Sequence, residues 1–130
     1  MMPSDNKAIV LYVENEFNTF ELVRIYLSDV CSVDNAVDSG DCLRMAAGKK
    51  YSLILMDINL GNGPTGLETA KMIRKIDEYR DIPIVAVTAF AMAGDEDEFL
   101  SEGCTHYLSK PFKKKELIQL VSAILGGDGK

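Results

Sequence analysis

Short, mostly apolar runs recur along the chain, separated by longer stretches of mixed polarity. These runs are largely continuous rather than alternating, which is typical of strands covered on both faces. Such strands belong to parallel sheets, in which a crossover connects one strand to the next. The predicted strands are Ala8–Val13, Cys31–Ala36, Ser52–Met56, Pro83–Val87 and Thr105–Ser109.

Between these runs the apolar residues take the spacing of an amphipathic helix, as at Phe17, Phe20, Val23 and Leu27. The pattern predicts helices over 17–27, 39–48, 67–79, 93–102 and 113–125. Five alternations of strand and helix predict an α/β fold of the flavodoxin-like type. This is a three-layer (βα)5 sandwich around a five-stranded parallel sheet in the order 2-1-3-4-5.

The whole pattern fits one domain over residues 8–125. Residues 1–7 are polar and predict a disordered lead, and the glycine-rich residues 126–130 predict a flexible tail. No signal peptide is visible, and no apolar run approaches the roughly 20 residues of a membrane helix. These features predict a cytoplasmic protein that has no contact with a membrane.

The charge and the cysteines narrow the class further. Acidic residues outnumber basic ones 20 to 14, for a net charge of −6, which disfavours direct binding to DNA or RNA. The three cysteines, Cys31, Cys42 and Cys104, show no CxxC or metal-binding spacing. We therefore expect reduced, structural thiols.

Polar side chains stand directly after four of the predicted strands. Glu14 and Asn15 follow the first, Asp57 the third, Thr88 the fourth and Lys110 the fifth. In an open α/β sheet the carboxyl ends of the strands meet at one edge, where ligands bind. Two neighbouring carboxylates repel unless a cation lies between them, and an all-oxygen set suits Mg²⁺. A hydroxyl and a lysine suit phosphoryl oxygens, and a carboxylate can be the nucleophile.

Four motifs carry a resemblance to a known family. They are VLYVEN at 10–15, LILMDIN at 53–59, PIVAVTAFAM at 83–92 and YLSKPF at 107–112. Together they resemble the receiver domain of two-component response regulators, over about residues 7–125. The stretch at 88–95 is similar both to single-domain receivers related to cell-division regulators and to receivers of hybrid kinases, and the motifs do not separate the two.

The resemblance implies a phosphorelay switch in signal transduction rather than an enzyme. Asp57 would accept a phosphoryl group from a histidine kinase or a histidine phosphotransfer protein. Thr88 and Lys110 would bind the phosphoryl oxygens, and Tyr107 would turn inward when Thr88 moves. A downstream protein would bind the face made by the fourth helix, the fifth strand and the fifth helix.

The resemblance also implies a magnesium site and one unusual peptide bond. Glu14, Asn15 and Asp57 would support Mg²⁺, directly or through water, and Asn59 would give its backbone carbonyl. Pro111 would follow a cis peptide bond, which only an X–Pro pair adopts at modest cost.

Three features depart from the usual pattern of the family. Asn15 stands where an acid is usual, and Glu16, one residue further on, is expected to point elsewhere; we therefore expect weaker Mg²⁺ binding. The loop 61–66 is one residue longer than usual and has Gly61 in place of a proline, which either reshapes the rim for a particular donor or is neutral. The bulk of Phe90 predicts that water is kept from the acyl phosphate, giving it a long lifetime.

Two other functions remain as alternatives. A receiver that binds partners without phosphate is supported only by Asn15. A hydrolase with an aspartyl-phosphate intermediate would need a second acid where Asn59 stands. The lone His106 is predicted to be a partly exposed strand residue, and Lys113–Lys115 fits either a solvated face or part of a partner surface.

Overall fold

Strands and helices alternate along the chain as the hydrophobic pattern predicts. The computed structural model describes residues 8–61, 63–89 and 95–126. The strands are β1 (Ile9–Val13), β2 (Ser32–Ala36), β3 (Leu53–Asp57), β4 (Ile84–Thr88) and β5 (His106–Ser109). The helices are α1 (Phe17–Tyr26), α2 (Ser39–Gly48), α3 (Gly66–Arg74), α4 (Asp95–Ser101) and α5 (Lys114–Gly126).

The five strands form one parallel sheet in the order β2-β1-β3-β4-β5. The predicted flavodoxin-like fold is confirmed. The strand order changes direction between β1 and β3, which is where open α/β sheets form their ligand-binding crevice. Asp57 pairs with Val87, and Thr88 pairs with Ser109 one residue further along.

Side chains alternate between the two faces of the sheet and build two apolar layers. On one face Leu11, Ile54 and Ile84 pack with residues of α2, α3 and α4. On the other face Val10, Leu55 and Val85 pack with residues of α1 and α5. Because β1, β3 and β4 are covered on both faces, their carboxyl ends are fixed from above and below.

The third helix is shorter than predicted. A single helix over 67–79 is wrong: α3 ends at Arg74, Ile76 is extended, and Asp77–Tyr79 forms a separate 3₁₀ turn. The break brings the buried Tyr79 against the end of α2, where its hydroxyl lies 2.9 Å and 2.8 Å from the carbonyls of Ala46 and Lys49. The hydrogen bonds of the Tyr79 hydroxyl to carbonyls distant in sequence therefore override the helical period.

The start of α3 lies against the end of β3. Thr65 and Glu68 form a reciprocal capping box, with bonds of 3.1 Å and 2.8 Å. At Gly66 a Cβ atom would lie 2.2 Å from the carbonyl oxygen of Asp57. Only glycine fits this approach, so the first turn of α3 packs directly on the residue that ends β3.

The described helices include none that is long and apolar enough to cross a membrane. All three cysteines are free and buried. Burial raises the pKa of the Cys42 thiol to about 12 and that of Cys104 to about 11. These two thiols therefore stay protonated, which is the inert behaviour expected of structural cysteines.

Candidate functional site

One cavity opens at the carboxyl edge of the sheet, where β1, β3 and β4 end. Its volume is about 410 Å³. The side chains predicted for the site that line it are Glu14, Asn15, Asp57, Asn59, Thr88 and Lys110. Glu16 and Ala89 complete the lining. Residues from four strand ends, 96 positions apart at the extremes, are thus brought together in one pocket.

Asp57 is the last residue of β3 and is 5% exposed. Its Oδ1 accepts a hydrogen bond from the backbone N–H of Asn59 at 3.1 Å, and its Oδ2 lies 3.5 Å from Lys110 Nζ. Burial and the nearby Glu14 carboxylate raise the pKa of Asp57 to about 6, against the opposing effects of Lys110 and the Asn59 N–H. The carboxylate is therefore mostly ionised at neutral pH, although burial and the Glu14 charge disfavour its ionised form.

Glu14 is more deeply buried, at 2% exposure, and both of its oxygens accept hydrogen bonds. Oε1 accepts from the Tyr12 hydroxyl at 2.8 Å and from Lys110 Nζ at 3.0 Å. Oε2 accepts from the backbone N–H of Glu16 at 3.2 Å. Three donors hold this carboxylate in one orientation.

Tyr12 is a member of the site that sequence reasoning missed. It is fully buried within β1, and its hydroxyl donates a hydrogen bond to Glu14 Oε1. Residues two apart on a strand share a face, so a tyrosine two positions before the first acid was a usable signal. Burial first, and then Glu14, raise the pKa of the Tyr12 hydroxyl, so it remains a donor.

Lys110 lies between the two carboxylates, 3.0 Å from Glu14 and 3.5 Å from Asp57. Burial opposes its charge, but the two acids raise the pKa of its ammonium group above the ordinary value. Its backbone N–H donates to the Thr88 carbonyl at 2.7 Å, and the Lys110–Pro111 peptide bond is cis. Lys110 is thus tied to the end of β4 through its backbone and to the acids through its side chain.

The two residues expected to act as a switch lie on neighbouring strands. Thr88 is 4% exposed and lines the cavity. Tyr107 is half-buried on β5, outside the cavity lining, with its ring 6.2 Å from that of Phe99 on α4.

His106 is half-buried at the amino end of β5, whereas the cavity lies at the carboxyl ends of the strands. Phe90 lies outside the described residues.

The residues after β1 occupy the rim of the cavity. Asn15 is exposed, and its Nδ2 donates to the backbone carbonyl of Leu60 at 3.2 Å. Glu16 is among the residues that line the cavity; that its carboxylate points elsewhere stays a prediction. Its Oε1 accepts a hydrogen bond from the Thr19 hydroxyl, which holds the side chain at the first turn of α1.

The donor chemistry of this cavity fits Mg²⁺, although the acid count is low. Within the described residues no group of three or more His, Cys, Asp and Glu side chains lies close enough to hold a metal, since Asn15 replaces an acid. Two carboxylates and two Asn residues still supply oxygen donors around the cavity. Burial first, and then the Glu14 carboxylate, raise the pKa of Asp57, and a bound dication would favour its ionised form.

Comparison with known proteins identifies the class. The response regulator receiver domain family matches residues 10–122, so the chain belongs to this family. It is 35% identical over 123 residues to the polar-differentiation response regulator DivK of Brucella anthropi, covering 92% of this chain and 97% of that protein.

Solved structures agree with this assignment. The chemotaxis response regulator CheY4 of Vibrio cholerae superposes with a TM-score of 0.84 at 27% identity, over 91% of this chain and 98% of that one. A response regulator of Chloroflexus aurantiacus shares the fold, with a TM-score of 0.85 at 23% identity, over 92% and 98% of the two chains. Receiver domains of this family are signalling switches rather than enzymes in the usual sense.

Proposed function

We propose that this chain is a phosphorylatable receiver whose acceptor is Asp57. The observation that carries the proposal is the buried Asp57 carboxylate at the end of β3, which opens into a cavity with a lysine ammonium 3.5 Å from its Oδ2. With a pKa of about 6 the carboxylate is mostly ionised at neutral pH and can act as a nucleophile.

The proposed reaction moves a phosphoryl group from a phosphohistidine to Asp57. An oxygen of Asp57 bonds to phosphorus while the P–N bond breaks, and its electron pair stays on the imidazole, which takes up a proton. Lys110 then pairs with one phosphoryl oxygen, and the Thr88 hydroxyl bonds another. The Lys110 ammonium already lies beside the nucleophile, so it needs to move little.

Mg²⁺ would be held by Asp57, by the Asn59 backbone carbonyl and, directly or through water, by Glu14 and Asn15. When bound, it neutralises the charge that gathers on the phosphoryl oxygens. Both Glu14 oxygens already accept hydrogen bonds, and Lys110 competes for the same carboxylate. These contacts leave Glu14 less free to bind the ion, and Asn15 adds no charge, so we expect weaker Mg²⁺ binding than an acid at position 15 would give.

The proposed output is a change in protein–protein contacts. When Thr88 moves towards the phosphoryl group, Tyr107 on the neighbouring strand turns inward and its packing against Phe99 changes. This alters the face of α4, β5 and α5, which we propose binds the downstream target. The half-exposed side chains of β5 support such a surface.

The proposed docking site for the phosphodonor is a second cavity next to the acceptor. It is lined mostly by apolar atoms between α1 and the segment after β5, including Leu22, Pro111 and Phe112. It shares Glu16, Ala89 and Lys110 with the acceptor cavity. A donor seated there would have its imidazole within reach of Asp57.

The proposal is tested by incubation with acetyl phosphate or phosphoramidate, with and without Mg²⁺, followed by intact mass measurement. We expect one added phosphoryl group, present only with Mg²⁺ and absent from Asp57→Asn. If native protein gains no phosphoryl group from either reagent, the chain is a receiver that binds its partners without phosphate.

The donor surface has its own test. Leu22 on α1 is 46% exposed, and Val37 after β2 is 47% exposed. Leu22→Asp is expected to slow transfer from a histidine phosphotransfer protein at least tenfold while leaving labelling by acetyl phosphate unchanged. Val37→Asp is the matched control and should leave both reactions as they are. Equal slowing by the two variants would refute docking at α1.

A further inference from the structure

One side-chain hydrogen bond joins the turn after β1 to the loop after β3. Asn15 Nδ2 donates to the Leu60 carbonyl at 3.2 Å, across 45 positions of sequence. The Leu60 side chain is 3% exposed and packs in the core, which fixes the position of that carbonyl. Gly61 follows it directly. Two departures from the usual receiver pattern, the amide at 15 and the glycine at 61, therefore meet in space.

The shape of the loop depends on this glycine. Gly61 has φ of +85°, and a Cβ atom there would lie 3.2 Å from Asn15 Nδ2. A larger residue would be strained in its backbone and would crowd the amide. The Gly61 N–H donates to the Asn59 side-chain oxygen at 3.3 Å, and the Asn59 N–H donates to Asp57 Oδ1 at 3.1 Å. A short chain of bonds thus runs from the acceptor to the segment that Asn15 holds.

The contact requires an amide. Asparagine has N–H donors, whereas an ionised aspartate has only acceptors and would face the Leu60 carbonyl with like partial charge. An acid at position 15 could hold this loop only through a cation lying between the two. Asparagine can do so alone.

We infer that Asn15 is a positioning residue that holds the loop after Asp57 in place without a metal ion. The acceptor site is therefore ordered before Mg²⁺ arrives, and metal binding adds charge but little further order to residues 59–61. The inference concerns the site of the proposed function, but the bond itself forms without phosphate or metal. It can be measured separately from phosphorylation.

The test is ¹⁵N relaxation of the Leu60 and Gly61 backbone amides, first in EDTA and then with saturating Mg²⁺. We expect native protein to give the same order parameters in both conditions. In Asn15→Asp the loop should be mobile in EDTA and regain order with Mg²⁺. Loss of one neutral hydrogen bond predicts a roughly fivefold larger population of released loop.

Two further variants separate the possible causes. Asn15→Ala removes the bond without adding charge and should also be mobile in EDTA. Asn18→Asp places the same new charge on the exposed face of α1 and should behave like native protein. The inference is overturned if the native loop loses order in EDTA, or if Asn15→Asp and Asn15→Ala both keep it. Intact mass of the same samples after acetyl phosphate reports on Asp57 independently.

Discussion

Replacing the proposed acceptor should stabilise the protein. Asp57 is 5% exposed, and burial together with Glu14 raises its pKa from 3.8 to about 6. In the unfolded chain this carboxyl ionises at its ordinary pKa. Between pH 3.8 and about 6 the native state binds more protons than the unfolded chain does. The stability that this group contributes is therefore fully present below about pH 4 and is lost as the pH rises through about 6.

The size of the effect follows from the same two values. The difference between a pKa of 3.8 and one of about 6 corresponds to roughly 3 kcal/mol of native-state stability lost by neutral pH. Asp57→Asn removes this loss but also removes one of the two anions beside Lys110. We therefore expect a net gain of about 1–2 kcal/mol in the free energy of unfolding at pH 7.5.

The assay is urea unfolding, followed by far-ultraviolet circular dichroism, at pH 4.5 and pH 7.5 in EDTA. The gain in the free energy of unfolding of Asp57→Asn over native protein should be small at the lower pH and should reach its full size at the higher one. Mg²⁺ should raise the stability of native protein but not of the variant. If Asp57→Asn unfolds at lower urea than native protein at both pH values, the carboxylate is stabilising and the reasoning is wrong.

Asp34 provides a control of opposite sign. Burial opposes its ionisation, but hydrogen bonds from Lys49 and Tyr51 lower its pKa below the ordinary value. Its contribution to stability is present at neutral pH and is lost as the pH falls through the folded pKa. Asp34→Asn should therefore destabilise the protein at pH 7.5, and the two substitutions should move the urea midpoint in opposite directions.

Other consequences can be measured one by one. Asn15→Asp should tighten Mg²⁺ binding about fivefold by calorimetry, because an exposed carboxylate about 4 Å from a dication gains roughly 2 kcal/mol in water and ordering the loop that the variant has released costs about 1. Unchanged affinity would contradict this. Tyr12→Phe should lower the free energy of unfolding by about 1.5–3 kcal/mol, as it removes a donor from a buried carboxylate. The same change at the half-exposed Tyr26 should cost less than about 0.5 kcal/mol. Thr88→Ala should still accept phosphate, but the ring signals of Tyr107 in NMR spectra should no longer shift; a full shift would exclude the proposed switch.

The arrangement of the fold could be predicted because it depends on local patterns. Continuous apolar runs mark strands covered on both faces, and their ends mark the edge where polar side chains gather. That is why Glu14, Asp57, Thr88 and Lys110 could be placed at one point without any knowledge of their distances. Alternating strands and helices with right-handed crossovers leave few sheet orders, and the flavodoxin-like order was the one expected among them.

The finer geometry could not be predicted, because it depends on contacts between distant parts of the chain. The bond from Asn15 to Leu60 spans 45 positions, and the break after α3 depends on where the Tyr79 hydroxyl finds carbonyls 30 and 33 positions away. Such pairs leave no periodic signal in the sequence.

The most direct test of the central claim is to identify the residue that carries the phosphoryl group. Protein treated with acetyl phosphate and Mg²⁺ is reduced with borohydride, which converts an aspartyl phosphate to homoserine, and the chain is then digested and its peptides are sequenced by mass spectrometry. The account predicts homoserine at position 57 and at no other aspartate. Homoserine elsewhere, or an unmodified Asp57 in protein that has gained a phosphoryl group, would contradict it.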